Sequence, residues 1–132
     1  MSFLLDTDIC SAYLKGRNPV ANRFIQYGGR LSVSAVSLGE LYTWTLRARA
    51  SPARMQSLLD MLPLVSVVDV NAEVARKFGE LDAHLLDHGL SASEIDLLNA
   101  ATALVYDLTL VTHNVQDFVN IPGLRVADWL NP

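Results

Sequence analysis

Near the N-terminus the apolar run Phe3-Leu4-Leu5 passes straight into Asp6-Thr7-Asp8. An apolar run without alternation suits a strand buried on both faces, as in a parallel sheet covered by helices. Such a strand has no structural use for a carboxylate at its end. In an open α/β sheet the carboxyl ends of the strands are where ligands bind, so Asp6 is either exposed there or holds something positive. A helix expected from near Asp8 leaves Asp6 outside it, and a helix cap does not account for that acid.

The rest of the chain alternates strand-like and helical patterns. The first strand is predicted over about residues 2–6 and a helix from near Asp8 to Leu14, ended by Gly16. Asn18-Pro19 opens a second helix, with asparagine as cap and proline at the first helical position, running to the Gly28-Gly29 stop. Leu31 to Ala35 alternates with period two and reads as a second strand. The helix after it carries Glu40 to about Ala50, and Ser51-Pro52 starts another. Leu64 to Val68, rich in β-branched residues, is a third strand. From Asn71 to Gly89, Val74, Phe78, Leu81 and Leu85 recur at helical spacing. A further helix spans about Ser93 to Tyr106, Thr109 to Thr112 is a fourth strand, and Leu124 to Val126 a short fifth. This alternation implies an α/β fold: a three-layer α/β/α sandwich with a central parallel sheet of four or five strands. At 132 residues the expectation is one domain, 1–132, with one good core.

Composition removes several function classes. With 51% hydrophobic and 18% charged residues the chain is expected to fold. No apolar run approaches the roughly 18 residues of a membrane span, and the N-terminus does not read as a signal peptide. Cys10 is the sole cysteine, which excludes an internal disulfide and fits a reducing cytoplasm. Ten Lys and Arg against fourteen Asp and Glu give a net charge of −4. That balance argues against broad electrostatic binding of nucleic acid, but not against a nucleic-acid enzyme whose acidic site is loaded with cations.

On this map the acids collect at strand ends. Asp6 ends the first strand, Glu40 lies early in the helix after the second, Asp96 opens the helix before the fourth, and Asn114 and Asp117 follow the fourth. Carboxylates about 4–5 Å apart repel by about 3–4 kcal/mol per pair at an effective dielectric near 20, so a cluster of them needs cations or protons. An all-oxygen set without paired histidine or cysteine favours magnesium or manganese over zinc. A helix-capping reading stands beside this one: Ser37-Leu-Gly-Glu40 and Ser93-Glu-Ile-Asp96 both fit capping-box spacing. His84 and His88, at i and i+4, can chelate a transition metal but read as surface residues, and His113 as a loop residue next to the site.

Four ordered segments resemble the PIN-domain ribonucleases, specifically the VapC-type toxins of bacterial toxin–antitoxin pairs. Leu4-Leu5-Asp6-Thr7-Asp8 is similar to the family's opening strand and its Asp-Thr-Asn or Asp-Thr-Ser signature, with Asp8 in the third place. Val33-Ser-Ala-Val-Ser-Leu-Gly-Glu40-Leu41 resembles the segment with the family's glutamate. Asp96-Leu-Leu-Asn-Ala-Ala-Thr-Ala-Leu104 resembles the segment that opens on its third acid. Leu108-Thr-Leu-Val-Thr-His-Asn-Val-Gln-Asp-Phe118, Ile121-Pro-Gly-Leu124 and Asp128-Trp129 resemble its C-terminal stretch.

The resemblance implies a PIN-like fold and a Mg2+-dependent endoribonuclease, with Mn2+ as substitute, in which metal-activated water hydrolyses RNA to 5′-phosphate and 3′-hydroxyl ends. It assigns metal binding and catalysis to Asp6, Glu40 and Asp96, with Asp117 favoured as the fourth acid and Asn114, at a position where many members carry an aspartate, as its polar neighbour. Thr7, Thr112 and Asn114 are supporting residues, and Asp8 a helix-start residue behind the ligands. Asn99 departs from the family's usual aliphatic residue and is expected to touch substrate or a ligating acid if it faces the cleft. The implied partners are tRNA, rRNA or mRNA as substrate, a VapB-type antitoxin and a second copy of the chain. Tyr42, Trp44, Leu58, Leu59 and Met61 are candidates for a dimer or antitoxin surface. Two rivals remain. One is a small haloacid-dehalogenase-like phosphatase with Asp6 as nucleophile and Asp8 as acid–base; Cys10 stands where its threonine belongs, and Lys15 and Lys77 are the only lysines. The other is a catalytically silent PIN-fold module that binds a protein partner.

Overall fold

The computed structural model describes residues 1–131; the last residue of the expected 1–132 domain lies outside the described residues. Within them five strands form one parallel sheet in the order β3-β2-β1-β4-β5. The strands are β1 Phe3–Leu5, β2 Leu31–Ser34, β3 Ser66–Val68, β4 Thr109–Val111 and β5 Val126–Ala127. Six helices connect them: α1 Thr7–Leu14, α2 Asn18–Gln26, α3 Ala35–Leu46, α4 Pro52–Met61, α5 Ala72–Asp87 and α6 Glu94–Val105. The third strand starts later than expected because Pro63 sits in a 3-10 turn, Leu62–Leu64.

Alternation along β1 divides the core. Phe3 and Leu5 point into one apolar cluster with Ile9, Val20, Leu41, Leu58 and Met61 from α1 to α4. Leu4, between them, joins Val74, Leu81, Leu85, Leu97 and Ala100 from α5 and α6 on the other face. Helices therefore cover both faces of the sheet, as expected for the three-layer sandwich. Leu58 and Met61 are core residues, which removes them from the candidate partner surface; Leu46 and Leu59 are exposed.

Glycine and caps set the helix ends. Asn71 accepts from Val74 N–H to start α5, and Gly89 ends it at φ 69°, where Leu90 N–H reaches back to the Leu85 carbonyl at 2.8 Å. The second helix begins one residue before the expected place: Arg17 occupies the cap position without a side-chain bond, and Asn18 is already helical.

Strand order explains where a site can lie. The chain adds β2 and β3 on one side of β1, then crosses to add β4 and β5 on the other. Strand order thus reverses between β1 and β4, the place where a crevice opens at the carboxyl ends of such a sheet. Leu5 pairs in register with Val111, so the next residues along, Asp6 and Thr112, face each other at that point.

Candidate active site

Strands β1 and β2 run into α1 and α3 with no intervening loop, so the residues at those junctions serve two elements. Asp6 is the N-cap of α1: its backbone is extended, and its Oδ1 accepts from Thr7 N–H at 2.8 Å. A cap therefore does bear on Asp6, contrary to the expectation from sequence, because the helix begins at Thr7 and not at Asp8. Ser34 caps α3 by accepting from Ser37 N–H at 3.1 Å. The Ser37–Glu40 capping reading is overturned by this earlier start. Glu40 lies in the second turn, where it accepts a hydrogen bond from the Thr7 hydroxyl. Ser93 does cap α6, through Asp96 N–H at 3.1 Å, so Asp96 combines a capping position with a place at the cleft.

A cleft of about 380 Å³ lies at the carboxyl ends of β1 and β4, with Asp6, Asp8, Glu40, Asp96 and Asn114 in its walls. Asp117 is exposed on a 3-10 turn, Val115–Phe118. It lines two adjoining depressions, one shared with Asp96 and the other with Asn114, His113 and Asp128. Three of the four expected acids and Asn114 thus share one cleft, and Asp117 borders it beside Asp96. His84 on α5 and His88 at its C-cap are exposed, apart from these walls.

Asp6 is 7% exposed, and its carboxylate is held by three donors. Besides Thr7 N–H, its Oδ1 accepts from Asn99 Nδ2 at 3.2 Å, and its Oδ2 accepts from the Thr112 hydroxyl at 2.9 Å. Burial, with the charges of Asp8 and Glu40 adding to it, raises the Asp6 pKa against the hydrogen bonds from Thr7 and Thr112. Burial likewise raises Asp96, and the charges of Asp6, Asp117 and Glu40 act in the same direction. Asp8 is raised chiefly by burial as well. Its Oδ2 accepts from His113 N–H at 2.9 Å and from Asn114 Nδ2 at 3.4 Å, whereas its Oδ1 is buried with no hydrogen-bond partner. The sequence-based reading set Asp8 behind the others; the structure puts it in the cleft wall. Ser37 had no signal in sequence beyond the capping motif, and Ser34 none beyond its place in the second strand.

Among the described residues no three acids, histidines or cysteines converge tightly enough to enclose an ion as they stand. The donor chemistry nonetheless fits a hard divalent cation. Four carboxylates line one cleft, none is in an ion pair among the described residues, three are held in the less charged direction chiefly by burial, and one oxygen is left unpartnered. Oxygen-only sites of this kind suit magnesium or manganese. Neither Lys15 nor Lys77 lines the cleft, which leaves the phosphatase reading without the lysine it needs beside Asp6.

Comparison with known proteins agrees with this architecture. The ribonuclease VapC2 of Haemophilus influenzae is 28% identical over 131 residues, covering 98% of this chain and 99% of that protein. The tRNA(fMet)-specific endonuclease VapC of Shigella flexneri is 28% identical over 130 residues, 98% of each. The crystal structure of VapBC2 from Rickettsia felis, bound to a DNA fragment from its promoter, contains a chain that superposes with a TM-score of 0.91 at 27% identity, over 98% of this chain and 99% of that one. Residues 3–124, which include Asp6, the three other expected acids and every strand but the last, match the PIN domain, and the chain belongs to that family.

Proposed function

We propose that this chain is a divalent-metal-dependent endoribonuclease that serves as the toxin of a toxin–antitoxin pair. The observation that carries the reading is the convergence of Asp6, Asp8, Glu40 and Asp96 from three distant segments on one cleft without a compensating cation. Such an arrangement is costly to a fold that has no use for it.

Asp6, Glu40 and Asp96 would hold the ion, with Asp117 completing the acidic set from the side of Asp96. A bound magnesium or manganese ion supplies charge neutralisation at the scissile phosphate and a more acidic attacking water. The chain's own residues do the orienting. Thr112 and Thr7 each give a hydroxyl hydrogen to an acid, Thr112 to Asp6 and Thr7 to Glu40, which fixes the direction in which the remaining lone pairs point. Asn114 presents an amide on the cleft wall, where a phosphate or base edge would pass. Asp8 restrains the β4–α1 junction by accepting from the backbone of His113.

The relatives' activities and assemblies support the rest. A tRNA-cleaving relative makes total tRNA the first substrate to offer, with ribosomal and messenger RNA next, and the VapBC2 assembly supports a VapB-type antitoxin as partner. Exposed Leu46 and Leu59 on α3 and α4 are consistent with a self-association surface. No described helix is long and apolar enough to cross a membrane, and the lone cysteine fits a cytoplasmic setting for the single 1–132 domain. The reading is tested by incubating the purified chain with total tRNA and ribosomal RNA in Mn2+, beside an Asp6→Asn variant. Cleavage lost in D6N supports the enzyme. Antitoxin binding by a wild type that cuts no RNA would instead identify a silent binding module.

A further inference from the structure

We propose that Asn99 is a positioning residue, which orients the Asp6 carboxylate and joins the strand and two helices that carry Asp6, Glu40 and Asp96 into one frame for the cation. The inference rests on the metal-dependent reading above. Asn99 lies one helical turn beyond Asp96 on α6 and is 1% exposed. The orientation of its amide is forced by chemistry: a carboxylate can only accept, so the NH2 group faces Asp6. One Nδ2 hydrogen goes to Asp6 Oδ1 at 3.2 Å and the other to Ser37 Oγ at 3.1 Å. Its Oδ1 accepts from the Ser34 hydroxyl at 2.6 Å. Every polar atom of the side chain is thereby used.

Each contact reaches a different part of the acidic site. Ser34 is the last residue of β2 and the cap of α3, and Ser37 is one helical turn before Glu40. The amide of Asn99 therefore sets the first turn of α3 relative to α6, and with it the separation of Glu40 from Asp96. At Asp6 the effect is direct. An ionised carboxylate offers about four acceptor directions; Thr7, Asn99 and Thr112 occupy three of them, leaving one, on Oδ2, for a ligand. An apolar residue of equal size would fill the same space but leave the buried Ser34 hydroxyl and Asp6 Oδ1 each short of a partner, so it is these polar groups, and not packing, that call for an amide here. A network that is fully satisfied and spans three elements specifies geometry more than it adds stability.

The test is Mn2+ titration of the full-length chain, with free Mn2+ read by electron paramagnetic resonance and the melting temperature measured alongside. The variants are Asn99→Leu, which keeps volume and removes the amide, and Ala103→Gly, which loosens the same helix away from the acids. The expected result is weaker Mn2+ binding in N99L by about 10-fold or more, the usual cost of losing a partner behind a ligand, with affinity unchanged in A103G. Should N99L not fold, Asn99→Ser, which removes the amide and retains one hydroxyl, is read the same way. Equal Mn2+ affinity in wild type and N99L, or equal weakening in N99L and A103G, would overturn the positioning role. A wild type that binds no Mn2+ would instead fail the metal-dependent reading itself, and the positioning role with it.

Discussion

Thr112→Val removes one hydroxyl from beneath Asp6 and changes little else. Thr112 is fully buried. Its hydroxyl donates to Asp6 Oδ2 at 2.9 Å and accepts from Asn114 N–H at 3.1 Å. Valine keeps the shape but leaves the carboxylate one donor short. A hydrogen bond to a charged group contributes about 1.5–3 kcal/mol; the Asn114 N–H, on an exposed residue, can turn to water and adds little. The expected loss for the metal-free protein at neutral pH is therefore about 2–3 kcal/mol, or roughly 7–11 °C in melting temperature for a chain of 132 residues. The loss depends on pH, with a definite sign. Asp6 has a higher pKa folded than unfolded. The folded chain thus binds more protons between the two values, and stability falls as pH rises through that window. The Thr112 bond opposes this shift, so its removal raises the folded pKa further and widens the window upward. The penalty of T112V is thus greatest above the folded pKa and shrinks as pH falls through it. Thermal melts in chelator from about pH 4 to 8 read both effects, with Thr112→Ser, which keeps the hydroxyl and loses about 1 kcal/mol of methyl burial, as control. A T112V deficit equal at the two ends of the range, or a T112S deficit as large as that of T112V, would show that the hydroxyl does not stabilise the ionised Asp6.

Other perturbations separate repulsion, orientation and backbone geometry. Asp6→Asn removes a buried charge and its repulsion from Asp8 and Glu40, so in chelator at pH 7 it is expected to melt higher by a few degrees while losing RNA cleavage; a D6N that melts lower contradicts the picture of a cluster under repulsion. Thr7→Val removes the hydroxyl bonded to Glu40 and is expected to weaken Mn2+ binding about 10-fold in an isothermal titration. Gly89→Ala forces a side chain into φ 69° at about 1–2 kcal/mol, which denaturant melts should show with RNA cleavage unchanged, since α5 ends away from the cleft.

The layered fold was legible because its signals are local. The unbroken apolar run Phe3 to Leu5, the helical stripe Val74-Phe78-Leu81-Leu85 and the stop at Gly89 each speak for their own segment, and the structure keeps them all. Where a strand enters a helix without a loop, local signals compete. Ser34 and Ser37 both suit a cap, and the choice of Ser34 follows from where β2 must end to pair with β3. The same abutment makes Asp6 a cap while its carboxylate faces the cleft. Asp8 and Asn99 were harder to read for a different reason. The His113 N–H that meets Asp8 is 105 positions away, and the Asp6 carboxylate that meets Asn99 is 93. No periodicity within one helix predicts a partner at that distance.

The central claim is that the carboxylates around Asp6 load a divalent cation that drives hydrolysis of RNA. It is tested most directly by end-group mapping of the products formed from total tRNA by the purified chain, with Mn2+ and with chelator in parallel. Cleavage is expected in Mn2+ and not in chelator, leaving 5′-phosphate and 3′-hydroxyl ends because an activated water is the nucleophile. Cleavage that persists in chelator, or products ending in 2′,3′-cyclic phosphate and 5′-hydroxyl, would contradict it.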